Sequence, residues 1–240
     1  MTGSNETDAI GGASIAANAG NTESNGGRVP RQDRPEAPDA GYATLDATAR
    51  AVLDFWFGVP GTADFGRASE RWFKRDDAFD ALIEQRFGAT LAAARRGECD
   101  SWQDTPLGAL ALVIVLDQFS RNTCRGSAQA FAADAQALEA ARRLIATGAH
   151  LMLPTPEHRA FAYLPFEHSE SLADQHESVR LFAALARETG QTGNGSYVDF
   201  AYRHEAIIER FGRFPHRNAV LGRQSTDEEL AFLRGPGSSF

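Results

Sequence analysis

Lysine is all but missing from this sequence: of its 24 basic residues only Lys74 is a lysine. The bias runs along the whole chain and reads as compositional background, not as a recognition device. Cysteine is almost as scarce. Cys99 and Cys124 stand in no CxxC arrangement, which excludes a disulfide framework or a thiolate zinc site and fits a reducing compartment. No apolar run reaches the length of a membrane span. The first residues lack a basic region followed by an apolar core and carry Glu6 and Asp8, so no secretory or transit signal is expected and the expected location is cytoplasmic. A formal net charge of -8 opposes non-specific attraction to nucleic acid or to an anionic membrane, and neither is expected as a partner.

What is present is material for a globular core. The chain has 240 residues and 42% hydrophobic side chains, the size of one large domain or two small ones. Met1 to Gly41 stands apart. It is rich in Gly, Ala, Asn, Ser, Thr and Pro, has no aromatic residue, and offers only Ile10, Ile15 and Val29 as larger aliphatics. Such a stretch buries too little surface to offset the entropy of ordering it. A disordered tail is expected over 1–41 and a single helical domain over 42–240.

From Tyr42 onward apolar residues recur at helical spacing. Leu45, Ala49, Val52, Leu53 and Trp56 form one stripe, closed by Gly58. Phe79, Leu82, Ile83, Phe87, Leu91 and Ala94 form the next, entered through Asp76 or Asp77 and ended near Gly97. Thr105 and Pro106 supply a cap and a first-turn proline for "LGALALVIVLDQFSRN", apolar on every side as far as Leu116 and therefore expected at the centre. A fourth helix is expected from Ser127 to Gly148. Thr155 and Pro156 open a shorter one that Pro165 is expected to kink or stop, and helices ending at Gly190 and Phe211 follow. Thr226 and Glu229 make a capping box for a last short helix. No segment alternates at period two for long enough to compete as a strand. The fold class is all-α, with antiparallel helix pairs joined by short turns.

Chemistry is expected where polar residues interrupt these apolar faces. Asp117 and Arg121 are four residues apart and continue the Leu110, Val113, Ile114 stripe. They form either an ion pair that caps the core or a device in which Asp117 holds an arginine, Arg121 or Arg125, towards an anion. His168 lies between Glu167 and Glu170 just past Pro165, where it either caps a turn or faces a pocket between helices. His204 sits on the apolar stripe of its helix, the usual place of a satisfied core histidine.

"FGRFPHRNAVLGR", residues 211 to 223, brings His216, Arg217 and Asn218 after Pro215, which is expected to turn the chain back across the helix end. One reading has Arg213 and Arg217 drawn to the last carbonyls of that helix. The other has this end meet "DQFSRN", so that Arg121, Arg125, Arg217 and Arg223 surround one anion. His168, His204 and His216 are then the candidate acids and bases. Asp117, Arg121, Arg125, Glu170, Arg217 and Asn218 are the candidate ligand-binding residues.

Familiar catalytic motifs are missing. "HEAII" at His204 and "HESVR" at His176 lack the second histidine of the zinc-protease helix. No glycine-rich phosphate loop follows a strand, no GxSxG elbow is present, and Cys124 has no nucleophile signature. The sequence names no cofactor. A metal site built from His168, Glu170, His204 and His216 lacks tight ligand spacing. Trp56, Phe57, Trp72 and Phe73 are expected as core anchors.

Taken together, "VLDFWFG" (52 to 58), "RWFKRDDAFD" (71 to 80), "VLDQFSRNTCRG" (115 to 126), "YLPFEHSESLADQ" (163 to 175) and "FGRFPHRNAVLGR" resemble the bacterial domain-of-unknown-function family 924. Members of that family resemble the tetratricopeptide-like helical superfamily. The resemblance implies a compact helical fold in a bacterial intracellular protein and carries no assigned reaction. Cys124 departs from the pattern, which leads one to expect an aromatic or other bulky residue there. The consensus positions of a tetratricopeptide repeat of about 34 residues are not evident.

The leading expectation is a pocket enclosed by the helices bearing "DQFSRN", "FEHSE" and "RHEAI" and lidded by "FPHRN". It would bind a small anionic molecule, with a histidine as acid or base if chemistry occurs there. A tetratricopeptide-like scaffold presenting a groove to a protein partner is the alternative, and a histidine-carboxylate metal protein is the second. Whether the protein is an enzyme stays open at this level.

Overall fold

Asp46, Asp76, Thr105, Thr155, Ser196 and Thr226 each turn a side-chain oxygen onto the free N–H groups at the start of a helix. These caps set most of the element boundaries. The computed structural model describes residues 39–238. The helices are α1 (Asp39–Ala43), α2 (Ala47–Phe57), α3 (Asp77–Arg95), α4 (Pro106–Val113), α5 (Ser120–Thr123), α6 (Asp134–Ala146), α7 (Pro156–Glu167), α8 (Leu172–Thr189), α9 (Tyr197–Phe211) and α10 (Asp227–Leu233). Among the described residues there is no strand. The fold is all-α.

The tail expected over 1–41 lies outside the described residues as far as residue 38. At its end the chain is already helical, in α1. The reason is Tyr42, which is buried and places its hydroxyl 3.1 Å from His158 Nε2 on α7.

The chain stays helical from Pro106 to Thr123, and every side chain from Leu107 to Ser120 is buried. In its middle, Ile114–Phe119 winds as a π-helix, which the unbroken apolar run did not announce. α4 packs against α2, α6 and α7, and the π-helical turn packs against α3. Around this axis the aromatic residues interlock. The Trp56 ring meets Trp72, Phe79, Phe119 and Phe161 at centroid distances of 5.6 to 6.3 Å, and Trp72 Nε1 donates to the Trp56 carbonyl at 3.1 Å. Burying each such side chain contributes about 1.5–3 kcal/mol.

Two helices begin or end differently from the sequence expectation. α6 starts at Asp134, after a 3-10 turn over Ala128–Ala130, and not at Ser127. The Asp134 carboxylate sits at the positive end of α6 and is held there by Arg121. α7 passes through Pro165 and ends two residues later. A proline so near a helix end removes one backbone bond and leaves the remaining turns intact.

α7, α8 and α9 run antiparallel in succession. Tyr163 meets Phe182 at 5.6 Å while Gln175 Nε2 donates to the Glu167 carbonyl at 2.7 Å, so α8 descends as α7 rises. Phe182 stacks on Tyr197 at 5.7 Å and His176 lies 3.9 Å from Glu205, which reverses the direction again. Beyond α9 a small second cluster of Ile207, Ile208 and Phe214, with Phe211 and Phe232 against it, seats the turn after α9 and α10. This packing brings the π-helical turn, the end of α7 and the turn after α9 to one place.

Candidate functional site

Asp117 lies in the π-helical turn and is 1% exposed. Turns of this kind recur at functional sites because the widened backbone re-aims side chains. Three donors converge on its carboxylate. His168 Nδ1 donates to Oδ1 at 2.8 Å, Gln118 Nε2 donates to Oδ2 at 2.6 Å, and Arg121 Nη1 lies 3.0 Å from Oδ1. Burial alone would raise the pKa of this carboxyl, but Arg121 and His168 outweigh it and hold the group below its ordinary range. With an ionised acceptor beside it, His168 carries its proton on Nδ1 and its lone pair on Nε2. Burial first, and Arg121 second, lower the pKa of His168, so the ring is neutral near pH 7. Its side chain keeps 16% exposure.

Arg121 reaches past Asp117 to Asp134, with Nη1 and Nη2 at 2.9 and 3.0 Å from the two carboxylate oxygens. Such a two-pronged pair satisfies both charges with little left over. The same holds for Arg223, whose Nη1 and Nη2 donate to Glu170 at 2.7 and 2.9 Å, while its Nε donates to Asn218 Oδ1 at 2.9 Å. Glu170 also accepts the Phe214 backbone N–H at 2.8 Å. Arg223 and that N–H hold the Glu170 pKa below its ordinary value against the opposing effect of burial.

The turn after α9 is not a basic cap on that helix. α9 is closed by Gly212, whose φ of 66° suits a residue without a side chain, so the chain leaves the helix before Pro215 is reached. Pro215–Arg217 then forms a 3-10 turn. Arg213 turns to Glu229 and Arg217 turns inward, so neither side chain serves as the cap expected at the α9 carbonyls.

Phe214 is fully buried and stands at the centre of what remains. His204 meets its ring at 5.5 Å, His216 at 5.7 Å, and the Arg217 guanidinium carbon lies 4.5 Å from its centroid. The same guanidinium carbon lies 4.6 Å from the centroid of Phe131. Arg217 is 6% exposed, yet its hydrogen bond to Asp134 is 3.4 Å long and its Nε is buried with no partner among the described residues. Burial, with Arg121 beside it, lowers the Arg217 pKa to about 10. His216 is pushed down to about 4 by burial and by Arg217, and His204 falls well below its ordinary value through burial.

His204 Nδ1 donates to the Phe200 carbonyl at 2.9 Å and lies 3.4 Å from Glu167 Oε1. Its ring stands 6.5 Å from that of His168. Glu167 is 4% exposed, and burial together with the neighbouring Asp117 raises its pKa to about 8. Glu167 is not among the candidate residues of the sequence, although a carboxyl next to His168 at the last turn of a buried helix is a signal for one.

The structure therefore gathers His168, His204, His216, Asp117, Arg121, Glu170, Arg217 and Asn218. Arg125 does not join them; it is exposed and pairs with Asp80 on α3. The arginines do not ring an open anion site. Of the three at the cluster, Arg121 and Arg223 are occupied by the protein's own carboxylates, and Arg217 has a buried Nε with no partner among the described residues. Among the described residues no group of three or more His, Cys, Asp and Glu side chains is placed to hold a metal ion. A shallow depression lined by Pro156, Phe182, Leu185, Thr189, Tyr197 and Val198 opens at the far end of α8 and contains none of these groups.

This is an all-helical protein with a buried histidine, carboxylate and arginine cluster where three segments meet. Residues 52–237 match the family described as "Bacterial protein of unknown function (DUF924)", and the chain belongs to that family. It is similar to the solved structure of a protein of unknown function, ATU0120, from Agrobacterium tumefaciens. The two are 37% identical, with a TM-score of 0.68 over 79% of this chain and 98% of that one. None of the curated proteins matches the chain. Among the described residues no helix is long and apolar enough to cross a membrane.

Proposed function

We propose that the protein binds a small anionic molecule at the cluster, with Arg217 as its anchor and His168 as a base. The observation that carries this reading is the contrast among the arginines. Arg121 and Arg223 each grip a carboxylate with two short bonds, whereas Arg217 is more deeply buried and holds one long one. Burying a guanidinium without filling its donors is costly, and an anionic ligand supplies the missing acceptors. Contacts with the Phe131 and Phe214 rings restrict the guanidinium before any ligand arrives, so little ordering entropy is lost on binding.

His168 supports the chemical half of the proposal. Asp117 fixes its tautomer, as a buried carboxylate orients the base of a hydrolytic triad, and Nε2 is left to take a proton. The test is thermal melting of the whole chain with inorganic phosphate, sulfate and small carboxylates. A ligand at a hundredfold excess over its Kd adds about 2.7 kcal/mol to stability. Arg217→Met keeps the packing between the two rings and removes the charge, so it is expected to abolish the shift while melting independently as a folded protein. No shift with any anion in the unsubstituted chain would sink the reading.

A further inference from the structure

We propose that Glu167 gates this anion site by its proton: the anion binds while the carboxyl is neutral and is expelled when the carboxyl ionises. The inference rests on the reading of the cluster as an anion site and names what regulates it. Its basis is a comparison of two carboxyls on either side of His168. Asp117 has a donor for every charged oxygen, from His168, Gln118 and Arg121. Glu167 has no such shell. Its Oε1 lies 3.4 Å from His204 Nδ1, an N–H already given to the Phe200 carbonyl at 2.9 Å. Its Oε2 is buried and has no partner among the described residues.

The groups that act on Glu167 are neutral or negative. From the π-helical turn comes Asp117, from α9 come His204 and Tyr197, and on α7 its neighbour His168 is itself neutral. α8 contributes the amide of Gln175, which bonds the Glu167 backbone carbonyl at 2.7 Å. Among the described residues no lysine or arginine reaches the Glu167 carboxylate. A carboxyl so placed keeps its proton, and burial beside Asp117 lifts its titration to about 8.

The proton then has a consequence for the ligand. Arg121, Arg217 and Arg223 stand against Asp117, Asp134 and Glu170, so the cluster carries no surplus positive charge to absorb a fourth carboxylate. Ionised Glu167 would add one negative charge within a buried network where solvent screens weakly. Repulsion between that charge and the bound anion is expected to weaken binding about tenfold. Glu167→Gln has the shape of the neutral acid and no charge to gain, so it locks the gate open.

Sulfate is the probe, because its charge is constant across the range. Its affinity for the whole chain is measured by calorimetry at pH 6.5 and pH 9, for the unsubstituted protein and for Glu167→Gln. The expected result is a loss of about tenfold in the first and a much smaller loss in the second, the residue being due to Arg217. In parallel, infrared spectroscopy at pH 6.5 is expected to show a protonated-carboxyl band that disappears in Glu167→Gln. Equal weakening in both proteins, or a band that survives the substitution, overturns the gate and leaves the anion site standing. Failure of sulfate to bind either protein at either pH removes the site itself, and the gate with it.

Discussion

The carboxylate of Glu170 accepts the backbone N–H of Phe214 at 2.8 Å, and through that bond the loop after α7 holds the turn after α9. Arg223 closes the same link from the other side, donating to Glu170 with both Nη atoms and to the Phe214 carbonyl at 3.1 Å. Glu170→Ala removes the acceptor of the Phe214 N–H and of both Arg223 Nη atoms, leaving Arg223 only the Phe214 carbonyl and Asn218. Hydrogen bonds to a charged group contribute about 1.5–3 kcal/mol, and a loss of that size is expected in urea unfolding. A difference below about 0.5 kcal/mol would mean that solvent replaces the carboxylate.

Asp117→Asn tests the buried charge pair. The amide keeps the shape but leaves Arg121 with one carboxylate fewer and gives His168 a weaker acceptor. Breaking one partner of a buried pair costs about 3–5 kcal/mol, and a loss in that range is expected from chemical denaturation. Nitrogen NMR of the His168 ring is expected to report mixed tautomers in the variant and a single Nδ1–H form in the parent.

Acid should unfold the protein partly through its histidines. His216 titrates at about 4 in the fold against an ordinary 6.5, so its contribution is present above pH 6.5 and is lost as the pH falls through 4. His168 and His204 are shifted in the same direction. Melting temperature is expected to fall over that window, and less steeply in His216→Asn. An unchanged slope would place the acid sensitivity elsewhere.

Glu167 works in the opposite sense. Its folded value of about 8 stands above the ordinary 4.5, so its contribution is complete below pH 4.5 and is lost as the pH rises through 8. Glu167→Gln should flatten the decline of stability between those limits. A parallel curve for the variant would show that the carboxyl is ionised in the fold.

At the other end of the molecule, Tyr42→Phe removes the hydroxyl that faces His158 Nε2 at 3.1 Å. The ring of His158 is packed on Phe57 at 3.9 Å and has its other nitrogen 2.8 Å from Thr155 Oγ1, so it has no freedom to find a substitute. About 1–3 kcal/mol of stability is expected to go, read as a lower urea midpoint with unchanged m-value.

Most helices are legible because caps and stripes agree: the helix expected to end at Phe211 does end there, and the Thr226 and Glu229 capping box is present. The antiparallel pairing followed from the short turns. The π-helical segment was not legible, since a run apolar on every side has no face whose rotation could betray a widened turn. The start of α6 was missed for a related reason. Its first residue, Asp134, is held by Arg121, thirteen residues earlier in the chain, and no local pattern announces that pairing. Within the cluster, the residue types were visible but their pairing was not. Arg125 and Arg121 share a motif, yet one meets Asp80 and the other Asp134, a choice made by packing between distant helices.

The widened turn at Ile114–Phe119 makes the site depend on a number as well as on its side chains. Each residue advances an α-helix by about 100°. A π-helical turn takes in one residue more than an α-helical turn, so the widening over Ile114–Phe119 absorbs a residue and keeps the chain beyond it in phase with Leu110 and Val113. Were the same residues wound as an ordinary helix, everything beyond would swing round by about that angle, carrying Arg121 off Asp134. The lock between the buried axis and the histidines is thus set by how a hydrophobic segment is wound as well as by the residues that compose it.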